Sequence, residues 1–171
     1  MSSLEKMFPS LTTFSDLDWE AVTKEYETTS IDISFPEYLQ RKALDGDCPP
    51  YLFELAFYEL AAFDAKTSVE PFPYRPGIYL NPTALFLNLE FDIPKMLERA
   101  TKGKVEVHER PHVLCLYRSK DDQVNSMELE NEDLEVLQEL EDGPQMDKQF
   151  LEGKSQQNYT QLVRKGLIIE L

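Results

Sequence analysis

Cysteine is scarce in this chain. Cys48 precedes a pair of prolines and Cys115 lies inside an apolar run, which is too few for a disulfide framework and forms no CxxC spacing. Cys115 reads as a small core residue. Histidine is as rare, with only His108 and His112 at i and i+4 across Pro111. A transition-metal centre needs several such ligands together, and the proline argues against the continuous helix that would stack these two, so surface or hairpin-edge positions are expected and no metal. There are six glycines, and no GxGxxG, GxxxxGK[ST] or GxSxG pattern. Nothing in the chain looks like an active site, and it is read as non-catalytic with no cofactor of its own.

Positive charge is the next shortage. Seventeen Lys and Arg face 32 Asp and Glu, a formal charge of −15. So acidic a surface repels phosphate backbones and anionic lipid, and no local basic patch offsets it, so neither nucleic acid nor membrane is an expected partner. Eleven Asp or Glu and no Lys or Arg lie between Asp121 and Asp147. That flank is either a solvated face or an attractor for a basic partner. The stretch MSSLEKMFPS has no signal-peptide pattern and no apolar run approaches spanning length, so a cytoplasmic protein is expected.

What is present suits a folded core: 42% of residues are hydrophobic and 11% aromatic, enough for one ordinary domain or two small ones. Three helices are expected first. Ser15 stands where it can cap DLDWEAVTKEYE, Ser34-Phe35-Pro36 opens FPEYLQRKAL with Gly46 near its stop, and a third helix starts at Pro49-Pro50. On that third helix Leu52, Leu55, Ala56, Glu59 and Phe63 share one side, while Glu54 falls toward the opposite, wetter one. Two carboxylates five residues apart diverge, so they are not an acid–base pair. Glu59 points into an apolar stripe and requires a partner: a Tyr hydroxyl, an Arg or free backbone N–H groups. Whether its role is structural or functional stays open at this point.

Three prolines in VEPFPYRPG predict an extended connection over 69–77, dividing a helical subdomain (1–68) from a second one (78–171). Beyond it TALFLNLEF alternates as a strand, DIPKMLERATKG is a short helix ending at Gly103, and HVLCLYR with QVNSMEL makes a β-hairpin around SKDD. ENEDLEVLQELEDG is a helix closed by Gly143-Pro144. Asn158 is placed to cap a further helix stopping at Gly166, and LIIEL is a final strand. The expected class is α+β, with helices and a short strand beside a hairpin in a winged-helix-like order. The recognition helix of such an arrangement, NYTQLVRKG, has only Arg164 and Lys165 as cations, so DNA binding is not expected. A hairpin edge can instead take up an extended peptide as an added strand, or be covered within its own chain. His112, Leu114, Leu116, Arg118, Met127 and Leu129 are the candidate peptide-binding residues on that hairpin.

The ordered series FPSL, SFPEYLQR, PPYLFELAFYELAAFDA, YLNPTALFLNLEFDIPKML, HVLCLYRS and LENEDLEVLQELEDG, from Phe8 to Gly143, resembles the partner proteins of multinuclear non-haem iron oxidases (MNIO) in the biosynthesis of ribosomally made peptide natural products, the MbnC-, TglI- and HvfC-like family. The resemblance implies a non-catalytic subunit that forms a heterodimer with the oxidase through its helical part. Its winged-helix-like part, akin to a RiPP recognition element, captures the leader of a precursor peptide of methanobactin or thiaglutamate type. It places Tyr51, Glu54, Tyr58 and Glu59 at the oxidase interface, matches Glu54 and Glu59 to the family's acidic positions, and matches Arg118 to the Arg ending its strand motif. Iron is expected only in the partner oxidase. The HvfC-type N-terminal extension is missing, and the tail QQNYTQLVRKGLIIEL matches only loosely. A stand-alone peptide-binding adaptor and a DNA-binding transcriptional regulator are the other readings, and an enzyme acting alone ranks last.

Overall fold

The computed structural model describes residues 3–14, 17–29, 32–100 and 105–171. Local chemistry sets most element ends. Helix α3 (Trp19–Thr29) starts one step after Asp18, whose carboxylate accepts the Ala21 N–H at 3.1 Å. The expected cap, Ser15, lies outside the described residues. Helix α4 (Phe35–Leu44) begins as read: the Glu37 carboxylate accepts the Ser34 N–H at 2.7 Å, Ser34 Oγ accepts the Glu37 N–H, and Pro36 sits where its missing donor costs nothing. Gly46, at φ +81°, follows the end of α4.

The chain packs as two compact units, each discontinuous in sequence: Met1–Phe63 with Asn88–His112, and Asp64–Leu87 with Val113–Leu171. The division does not fall at 69–77, which belongs wholly to the second unit; 88–112 goes with the first. Helix α5 (Tyr51–Thr67) and strands β2 (Leu85–Phe91) and β3 (Glu109–Arg118) each supply residues to both.

The first unit is mainly helical. Two short helices absent from the sequence reading, α1 (Ser3–Met7) and α2 (Pro9–Phe14), precede α3. Phe35 is the hub of its aromatic core, with Phe8, Trp19 and Tyr26 rings at 5.1, 5.5 and 5.2 Å. Edge and tilted pairs of this kind add about 0.5–1.5 kcal/mol each beyond the area they bury. Tyr26 also donates its hydroxyl to the Ile33 carbonyl, and Lys42 pairs with Glu25 at 2.9 Å. Helix α6 (Ile93–Arg99) is capped by Asp92, which accepts the Lys95 N–H, and ends at Arg99; Gly103 lies outside the described residues.

The second unit holds the hairpin. Strand β3 pairs antiparallel with β4 (Val124–Leu129), Cys115 opposite Met127 and Tyr117 opposite Asn125, and the turn uses Asp122 at φ +59°, a conformation Asp tolerates. Strand order in this sheet is β2-β3-β4. Helix α7 (Asn131–Glu141), a 3₁₀ turn (Lys148–Leu151) and helix α8 (Gln156–Lys165) follow. Ser155, not Asn158, caps α8 by accepting the Asn158 N–H at 3.2 Å. Asn158 instead donates its amide to the buried Asp133 at 2.9 Å, and Asp133 also accepts the Glu130 N–H at 3.0 Å, so one carboxylate joins the starts of α7 and α8. Strand β5 (Ile168–Glu170) does not join the hairpin sheet. It pairs with β1 (Ile78–Leu80), a strand the sequence reading missed, as a separate two-stranded sheet. Cys115, Tyr117, Leu129, Val136, Leu137 and Leu162 are among the side chains of the common core.

The fold is α+β. No helix among the described residues is long and apolar enough to cross a membrane.

Candidate functional site

Helix α5 carries the two carboxylates in question, and both are buried: Glu54 is 4% exposed and Glu59 7%. The expectation that Glu54 faces water is therefore wrong. α5 buries Leu52, Leu55, Ala56 and Ala61 on more than one face, and the Glu54 side is covered as well. Each carboxylate is spent on backbone. Glu54 accepts the N–H groups of Glu90 and Phe91 at 3.1 Å, where β2 ends. Glu59 accepts those of Ser10 at 2.6 Å and Leu11 at 3.2 Å, donors in the first turn of α2. Of the partners proposed for Glu59, free backbone N–H groups are the ones used.

Burial raises both pKa values. For Glu59 desolvation outweighs the bonds from Ser10 and Leu11 that favour the anion. For Glu54 it outweighs those from Glu90 and Phe91, with Glu90 adding to the rise and His112 opposing it. The two groups bond to different segments, β2 and α2, and share no partner. Tyr51 is half-buried with its ring edge-on to Phe91 at 6.5 Å, and Tyr58 is half-buried on the same helix.

The hairpin candidates divide between two faces. By register Leu114 stands opposite Glu128 and Leu116 opposite Ser126, so these share a face with His112 and Arg118. Met127 and Leu129 are on the other face with Cys115 and Tyr117, packed in or against the core. The six do not form one surface. Leu114 and Leu116 are 3% and 1% exposed, and β3 is the middle strand of its sheet, so it has no open edge to offer. That place belongs to β4, where the backbone groups of residues 124, 126 and 128 face away from β3.

Arg118 is tied into unit two. Its N–H donates to Thr83 Oγ1 at 2.8 Å, its carbonyl accepts from Asn81 at 3.0 Å, and its guanidinium stands 3.7 Å from Asp122 and 6.0 Å from the Phe72 ring centre. Asn81 is the larger knot: it also donates to the Gly166 carbonyl and accepts both the N–H and hydroxyl of Thr83. Asn81 and Thr83 flank Pro82 and are 2% and 3% exposed. Their only sequence signal is a polar N-P-T placed directly after an apolar Tyr-Leu.

His112 donates Nδ1–H to the Arg110 carbonyl at 2.7 Å, which assigns its tautomer because a carbonyl only accepts. Among the described residues there is no group of three or more His, Cys, Asp or Glu arranged to hold a metal ion. Cys115 is fully buried, and desolvation pushes its thiol up to about 12, so it is a packed hydrophobe rather than a nucleophile. No protein-family model matches this chain, and no curated protein matches it.

Proposed function

We propose that this chain is a non-catalytic partner subunit: it forms a heterodimer with an iron-dependent, peptide-modifying oxidase and recruits the leader of a ribosomally made precursor peptide in the cytoplasm. The observation that carries the reading is the state of Glu54 and Glu59. The resemblance matches them to the family's acidic positions, and each holds two backbone N–H groups. Carboxylates so used shape a helix and the segments against it, the part of a scaffold, and being buried they do not themselves form the oxidase contact. The hairpin motif, from His112 to Leu129, supplies a framed edge strand in the second unit, the kind of element to which extended peptides add. The resemblance of the ordered motifs supplies the oxidase and the leader.

The test is a tagged pull-down from the native host, with mass spectrometry and metal analysis of the eluate. A stoichiometric iron-containing partner is the expected result. A clean monomer with neither iron nor peptide, or turnover of a substrate by the purified chain alone, overturns the reading.

A further inference from the structure

The proline-rich connection over 69–77 has no part in the function proposed above, yet it walls a groove that lies wholly within unit two. Pro71, Phe72, Tyr74, Arg75, Tyr79 and Pro144 line about 430 Å³ there. None of these six is buried, and Tyr74 keeps 82% of its surface in water. Apolar rings gathered in the open mark a surface that meets something.

The groove is stiff. Pro71, Pro73 and Pro76 fix their own φ and hold the residues before them, Glu70, Phe72 and Arg75, in extended backbone. Gly77, at φ +150°, makes room for a ring, since a Cβ there would stand 2.9 Å from Tyr79. The Tyr79 hydroxyl donates to the Pro76 carbonyl at 3.4 Å, which steadies that ring further. A wall set in advance costs little ordering when it binds.

Its hydrogen-bonding character is one-sided. Four prolines, at 71, 73, 76 and 144, bring no N–H, and the backbone groups of Gly77 and Ile78 are already exchanged with Leu171 and Gln145. An incoming strand finds no regular ladder here. What the groove does offer is flat ring faces, the Tyr74 hydroxyl and the guanidinium of Arg75, which stands 5.7 Å from the Tyr74 ring centre and makes no ion pair among the described residues. In a chain of formal charge −15, these lining residues carry one cation and no acid. The fitting occupant therefore presents acceptors and flat apolar rings. A polyproline II segment does both, because its prolines have no donors and its carbonyls stand free along a three-fold helix.

We propose that this groove docks a proline-rich peptide segment in polyproline II form, an inference that goes beyond the oxidase-partner reading and stands apart from the hairpin edge. The ligand's rings lie on Phe72, Tyr74 and Tyr79, and its carbonyls accept from Arg75 and the Tyr74 hydroxyl. Proline cannot add to the edge of β4, which requires backbone donors from its guest, so the two surfaces take different peptides.

The probe is fluorescein-labelled decaproline, titrated by anisotropy against the whole chain, with a peptide of the same length alternating Val and Thr as the strand-forming control. Decaproline should bind saturably and the control more weakly. Tyr74→Ala and Arg75→Met each change an exposed side chain, so circular dichroism should match the parent. Each should lower decaproline affinity about tenfold, near the worth of one good ring or charge-assisted contact. No saturable binding by the parent, parent-like affinity in both variants, or a control that binds as tightly as decaproline overturns the inference. If one variant misfolds, the other decides alone. The oxidase pull-down is read separately: recovery of the oxidase without decaproline binding sinks only this groove, and decaproline binding without an oxidase sinks only the partner reading.

Discussion

Glu59 shows how much a single side chain commits in this molecule. It spans 49 residues of sequence to hold the Ser10 N–H. Removing it takes the carboxylate acceptor from the Ser10 and Leu11 amides, at about 1–3 kcal/mol for a donor left unpaired. Glu59→Ala should therefore lower stability by about 1–3 kcal/mol in urea unfolding, and a variant as stable as the parent would show that these bonds contribute nothing. The pH dependence has a definite sign. Burial raises the folded-state pKa above the ordinary glutamate value of 4.5, so between that value and the raised one the native state holds the extra proton. Stability contributed by this group is fully present at the acid end of that window and is lost as pH rises through it. Glu59→Gln has no such titration, so the parent's advantage over it should shrink as pH rises from 4.5. A difference that grows with pH would reverse the assignment.

At the scale of elements, what was legible was local. Ser34, Glu37 and Pro36 lie within one turn and specify the start of α4 by themselves, and Gly166, at φ +81°, marks the end of α8 with equal clarity. The start of α8 was misread because Ser155 and Asn158 are both good capping residues three positions apart, and spacing alone does not choose between them. The choice has a measurable consequence. Ser155→Ala should cost about 1 kcal/mol as a lost cap. Asn158→Ala removes a donor from the buried Asp133 and should cost about 1–3 kcal/mol. Thermal melts of the two variants give the ranking, and the reverse order would restore Asn158 as the cap. The particular long-range partners of Glu54 and Glu59 were not legible, because a backbone N–H donor is the same in every residue type but proline and leaves no mark in the sequence. The pairing of β5 with β1 was equally hidden, since Ile-Ile-Glu pairs with any available edge and only the tertiary fold selects one.

For the whole molecule, the imbalance of 17 cations against 32 acids is the dominant long-range term. Like charges brought together by folding repel, and salt screens them, with a Debye length of about 30 Å at 0.01 M and about 8 Å at 0.15 M. The melting temperature should rise by a few degrees between these salt concentrations in a calorimetric scan. A flat or falling value would mean that the short ion pairs such as Lys42–Glu25 outweigh the net repulsion.

The interleaving of the two units also bears on synthesis. Growing from the ribosome at about 5–20 residues per second, the chain exposes the Glu54 carboxylate before the amide it will hold, 36 residues later, exists. The first unit is incomplete until His112 has emerged, by which time Asp64–Leu87 of the second has already been made. Neither unit can finish before translation of the other has begun, so the nascent protein carries a buried-type carboxylate in water for seconds, and a stall or cleavage in that interval leaves no half able to stand in for the whole.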